Sequence, residues 1–328
     1  MMVNPSVKEP TMHFKGVDVM KFLMALCVVL IHVIPLSNGW SPSTAVEYVI
    51  SLAVPFFFVS SGFLLQNKIE KIGDCESYQT IKKYAFRIWK MYFCWIAIYI
   101  PLCMWGYQFD EGHTMAQYGI IQIRSFLLMG EIKYSWPTWY LYSLGFAAVF
   151  FMLAKRFRIP LVLILICGIA GVLCQYIFTH FSLASLPKFA CSSLSRILIG
   201  SGYLMIGVFL RKHIDCIKPL YVICAYVASI GLFVTNLPFS DLIGSVAVFG
   251  TAFLMKIRCN ERIAEGLRGE SLWIFLIHMY VLTPLALNEA FSNPWLLYVV
   301  VCLICIVIAG FLYRFSLSSR GKFLKKLV

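Results

Sequence analysis

Charge is what this sequence has little of. Only 13% of its 328 residues are Asp, Glu, Lys or Arg, about half the share usual in a soluble domain. Acidic residues are the scarcer kind, 15 against 28 basic ones. Several motifs are also absent. GxSxG, HExxH and a Walker loop do not occur, which excludes the chemistries that depend on those arrangements. His and Cys never fall at zinc-type spacings, so neither a metal nor a resident cofactor is expected. There is no internal repeat, no low-complexity tract and no second soluble domain.

What fills the space is apolar. Hydrophobic residues make up 60% of the chain and mean hydropathy is +0.81. That combination predicts an all-α, polytopic membrane protein. The net charge of +13 would suggest nucleic acid in a soluble protein. Here the basic residues sit in short loops between apolar runs, where they set topology, so nucleic acid is excluded as a partner and the lipid bilayer takes its place.

Ten spans are expected, at about 17–37, 44–66, 84–105, 137–155, 159–178, 193–211, 218–235, 241–256, 271–289 and 294–315. Each approaches the ~20 residues that cross a bilayer. The segment 115–130 is shorter and interrupted by Arg124 and Glu131, which suits an interfacial or re-entrant helix. The first run is long enough to span and lacks a small-residue cleavage site, so it is read as retained rather than as a signal peptide. Twenty-four Lys and Arg fall in or beside one set of loops and tails, against Arg124, Lys133 and Lys188 in the opposite set. Both termini are therefore expected on the cytoplasmic side, in an integral plasma membrane protein. The chain divides into an N-terminal tail, 1–16, one transmembrane domain, 17–315, and a basic C-terminal tail, 316–328.

Twelve cysteines are present, most of them inside apolar runs. Cys302 and Cys305 form a CxxC at lipid depth, where packing is the expected role. Cys103 and Cys191 can both reach the outer face, which allows one disulfide.

The polar residues inside the apolar runs stand out. Lys21 and His32 lie 11 positions apart on the first span, so they share a helix face to within ~20° and are separated by ~16 Å along the axis. Asp18 is three residues before Lys21 and can pair with it. Such a stripe is costly in a membrane unless it faces protein, water or ligand. Lys21 alone reads equally as a snorkelling boundary lysine, and His32 alone as a histidine satisfied by a neighbouring helix. His278 is expected near mid-depth, some ~9 Å deeper than His32. Arg196 is either an interfacial anchor or an inward-facing group. Ser60, Ser61 and Gly62 permit close helix approach. Lys83, Arg87 and Lys90 share a helical face that suits phosphate, although topology alone also predicts cations there. The residues by themselves leave an enzyme and a transporter open.

Four stretches in order resemble the acyltransferase-3 family of integral-membrane acyltransferases, which acylate cell-surface sugars and related acceptors. Asp18-Val-Met-Lys21, ten residues and then His32 is similar to that family's first-helix motif. Phe56-Phe-Phe-Val-Ser-Ser-Gly-Phe63 resembles its second helix, Lys82 to Lys90 the basic opening of its third, and Ser271 to His278 a late Ser-to-His motif. Trp139-Tyr-Leu resembles the start of its fourth helix, with Thr138 where relatives often carry His; Phe275 replaces a common Tyr.

The resemblance implies an O-acyltransferase with acyl-CoA, first of all acetyl-CoA, as donor substrate and a glycan or envelope hydroxyl as acceptor. It makes His32 the general base, Lys21 a donor-phosphate ligand and Asp18 the group that holds Lys21. Lys83, Arg87, Ser61 and His278 are then candidates for substrate binding, and so are Trp139, Glu131 and Arg196 on the acceptor side. The competing expectation is a proton-coupled transporter of a small or glycan-related solute, with Lys21, His32 and His278 as relay. The absence of inverted repeats argues against it. A membrane module serving a racemase is a further alternative, disfavoured because no soluble catalytic domain follows.

Overall fold

The computed structural model describes residues 14–180, 188–258, 260–324 and 327, without the side chains of 178, 180 and 188–192. Among the described residues all regular structure is helical. The helices are α1 (Lys15–Val33), α2 (Thr44–Ser51), α3 (Ala53–Ile69), α4 (Asp74–Trp105), α5 (Met115–Met129), α6 (Thr138–Phe157), α7 (Leu161–His180), α8 (Lys188–Lys212), α9 (Pro219–Val234), α10 (Ser240–Leu254), α11 (Glu261–Leu287) and α12 (Pro294–Leu317).

Among the described residues seven segments are long and apolar enough to cross a membrane: those containing α1, α2–α3, α4, α6, α8, α11 and α12. The expected count of ten is not reached on these grounds. The other three expected spans coincide with shorter apolar helices, Leu161–Ile177, Pro219–Val234 and Ser240–Leu254. Boundaries also move. The second expected span is two helices, broken at Leu52. Both α4 and α11 start about ten residues before the expected spans, at Asp74 and Glu261. Their first turns are polar, so hydropathy does not register them. Asp74 and Glu76 in the first turn of α4, and Glu261 in that of α11, suit the positive end of a helix dipole.

The close approach of α3 to α8 depends on glycine at two places. A Cβ on Gly62 of α3 would collide with the Leu204 carbonyl of α8, and one on Gly207 of α8 with the Val59 carbonyl of α3. Helix α3 therefore lies backbone to backbone on α8, as expected of small residues in the Ser-Ser-Gly stretch. Helix α1 is central: it packs against α2, α3, α10, α11 and α12. Tyr99 of α4 donates to the Leu276 carbonyl of α11 at 2.6 Å, which fixes α11 two residues before His278.

The segment 115–130 is helical, as expected. Thr114 and Gln117 close a reciprocal cap at the start of α5, and Gly130 (φ 71°) ends it in the left-handed region. Ile120, Ile123 and Leu127 stay exposed at spacings that line one face.

Candidate functional site

Helix α1 carries its polar residues from one end of the bundle to the other. Asp18 is buried near the basic end. Arg268 of α11 approaches it, with Nη1 3.9 Å from Oδ2. The charged neighbours of half-buried Lys21 are Asp18, Arg268 and Arg87. Arg87 of α4 lies over the Tyr84 ring at 5.7 Å. Lys83 is exposed and makes no hydrogen bond or ion pair with a described residue. The cationic group is thus Lys21, Arg87 and Arg268 rather than the α4 row alone.

Above this level the lining becomes aromatic. Ser61 of α3 meets the Tyr140 hydroxyl of α6 at 3.3 Å, and Tyr84 of α4 neighbours it. Tyr140 packs on Phe275 at 5.4 Å, and Phe275 lies 6.4 Å from the His278 ring.

His32 and His278 then meet. Their rings stack with centroids 5.2 Å apart and planes 20° off parallel. His278 is therefore level with His32, not some ~9 Å deeper as helix counting from the expected span start suggested. The earlier start of α11 moved its whole register. His278 Nδ1 lies 3.1 Å from the Ile274 carbonyl, which can only accept, so Nδ1 carries the proton. Nε2 of this buried ring has no hydrogen-bond partner among the described residues. His32 also rests against Trp136 at 5.8 Å. Its ring contacts are aromatic, and no hydrogen bond to a described residue occupies its nitrogens.

His32 is 9% exposed, and what it faces is a cavity of about 570 Å³ at the end of the bundle opposite Lys21. Trp139, Arg196, Tyr203, Gln175 and Asp241 line it together with His32. Arg196 is held in place. Its Nη1 lies 2.9 Å from Glu131 Oε2 and donates to the Met129 carbonyl at 3.0 Å, while its guanidinium covers the Trp139 ring at 5.4 Å. Burial pushes the Glu131 carboxyl above its ordinary value, against the pull of Arg196.

The expected acceptor residues do not all share one space. His32, Trp139 and Arg196 line the large cavity, whereas Glu131 lines a second one of about 290 Å³ with Trp136, Asp110, His113 and Lys133. There His113 Nδ1 lies 2.8 Å from Asp110 Oδ1 and helps hold the Asp110 carboxyl below the usual range. Glu131 reaches the large cavity only through Arg196.

Cys103 is a free thiol hydrogen-bonded with Tyr118, so it forms no disulfide; the Cys191 side chain lies outside the described residues. Cys302 and Cys305 are buried free thiols. Sequence reading missed Arg268, Tyr84 and Asp241. Arg268 was hidden in an expected loop, and Asp241 at the boundary of a span.

Three comparisons bear on identity. No solved structure matches the chain. A curated amino-acid racemase of Enterococcus faecalis is 32% identical over 91 residues, 27% of this chain and 13% of that protein, so the chain spans a small part of the relative. The acyltransferase-3 family, described as an acyltransferase domain, matches residues 14–314, which takes in both ends of the α1 stripe and the cavity above it. The chain belongs to that family, and among its described residues are helices long and apolar enough to cross a membrane.

Proposed function

We propose that this protein moves an acyl group, acetyl first of all, from cytosolic acyl-CoA to a hydroxyl of a cell-surface glycan or related envelope acceptor at the plasma membrane. One observation carries the reading: a single helix joins a cationic group at one end to a histidine that faces a polar cavity at the other. Lys21, Arg87 and Arg268 suit the phosphates of a nucleotide-bearing donor, which cations recognise by charge and hydrogen bonding. The donor arm runs past Ser61 and Tyr140 and brings its thioester to His32.

His32 acts as general base. Its free imidazole nitrogen takes the acceptor hydroxyl proton as that oxygen attacks the thioester carbonyl. The carbon–sulfur bond then breaks, the new ester forms, and the departing thiolate takes the proton back from the imidazolium. No acyl-enzyme is needed. His278 positions the base: its stacked ring limits rotation of His32, and its Nδ1 is committed to Ile274. Asp18 holds Lys21 against the repulsion of two neighbouring arginines. Trp139 and Arg196 line the acceptor side, with Glu131 fixing Arg196.

The test is incubation of membranes carrying the protein with radiolabelled acetyl-CoA, followed by analysis of envelope glycans. Label in ester linkage, dependent on His32, is the expected result. Unlabelled glycans from membranes with abundant folded protein would contradict it.

A further inference from the structure

The cavity above His32 contains a carboxylate that the transfer chemistry does not use. Asp241 opens α10, whose N-cap is Phe239 with φ 77°, a left-handed conformation that a bulky residue rarely adopts. The turn before it, 235–240, sets Asp241 on the cavity wall along with Asn236 and Ser240. Both hydrogen bonds to its side chain go to one oxygen. Ser51 Oγ lies 2.9 Å and Ser240 Oγ 3.3 Å from Oδ1. The Ser51 proton is also within 2.9 Å reach of the Tyr48 carbonyl, so a single proton serves two acceptors. Among the described residues Oδ2 has no donor, and no Lys or Arg forms an ion pair with the group. The group is half-buried, so Oδ2 is left open on the cavity wall and able to accept. A ligand that supplies hydrogen-bond donors would complete it.

The rest of the wall decides which donors. Among the described residues the cavity already holds a cation, Arg196, and beside it and His32 the wall carries uncharged polar groups such as Gln175, Thr179, Asn236 and Tyr203. Mixed neutral donors and acceptors, one cation and an aromatic face suit a polyhydroxylated molecule better than an ammonium ion. We infer that Asp241 binds, through Oδ2, a hydroxyl of a neutral polyol or saccharide seated in the cavity that His32 faces. This rests on the transfer reading for the role of the cavity, and it makes Asp241 a specificity residue for the acceptor, apart from the donor and the base.

The experiment is equilibrium binding of N-acetylglucosamine and methyl glucoside to purified protein in detergent, followed by tryptophan fluorescence, since Trp139 shares the cavity. Wild type should bind saturably. Asp241→Asn should weaken binding roughly 10- to 100-fold, the worth of one hydrogen bond to a charged group. Asp241→Glu, which keeps the carboxylate, should restore most of it. A merely structural role would not give that rescue, and Asp241→Ser replaces the Asn variant if the latter does not elute as folded protein. Unchanged binding in the Asn and Ser variants overturns the inference. So does saturable binding of choline or glycine with none of either saccharide. Acetyl transfer from acetyl-CoA is scored separately. Binding that depends on Asp241 without any transfer would contradict the proposed function alone, and transfer with binding indifferent to position 241 would contradict this inference alone.

Discussion

The two ends of α1 solve different problems with different materials. At the Lys21 end the groups are like-charged, partly exposed and only loosely balanced: one buried aspartate among Lys21, Arg87 and Arg268. At the His32 end the two histidines are buried and the groups are individually fixed, by ring stacking, by an ion pair whose guanidinium lies over an aromatic ring and by hydrogen bonds to main chain. Excess like charge costs little beside water and suits a multiply charged, mobile ligand. Fixed geometry suits bond making, where small misplacements are expensive. Under the proposed function, recognition belongs to the first end and chemistry to the second.

The largest effect that could break this contrast is at the base. His32→Ala should lower acyl transfer by ~10²–10⁴, the usual worth of a positioned general base, while the donor KM stays within a few fold. Turnover close to wild type at matched expression of folded protein would remove chemistry from that end. Lys21→Ala is the mirror experiment. It should raise the donor KM by roughly 10- to 100-fold, from the loss of a charged hydrogen bond, with Lys21→Arg close to wild type because either cation serves phosphate. A donor KM unmoved in the Ala variant would make Lys21 a boundary residue. The smallest effect sharpens the comparison within one helix: Lys83→Ala, an exposed cation four residues before Arg87, should move the donor KM less than about twofold. A change as large as that of Lys21 would extend the donor site along the whole face of α4.

How much of this was legible beforehand follows from what hydropathy can see. Apolar length and loop charge give the helical membrane class and the alignment of Lys21 with His32, because both depend only on local periodicity. They do not give the polar first turns of α4 and α11, since a helix outside the apolar layer carries no hydropathy signal. That one omission hid Arg268 and set His278 at the wrong level. The break at Leu52 and the left-handed Phe239 leave no mark on hydropathy either, and with them Asp241 escaped notice. Glu131 and Trp139 lie eight residues apart, close enough in sequence to be read as one site. The intervening turn directs them into two cavities, with Arg196 linking the two residues.

The most direct test of the account is sidedness. Protein is reconstituted in one orientation into sealed vesicles, with radiolabelled acetyl-CoA on one face and methyl glucoside as soluble acceptor on the other. A long, multiply charged donor cannot cross hydrocarbon, so acetylated methyl glucoside should form only when acetyl-CoA is on the Lys21 face and the sugar on the His32 face. Equal product with both substrates confined to the Lys21 face would contradict the division of labour between the two ends of α1.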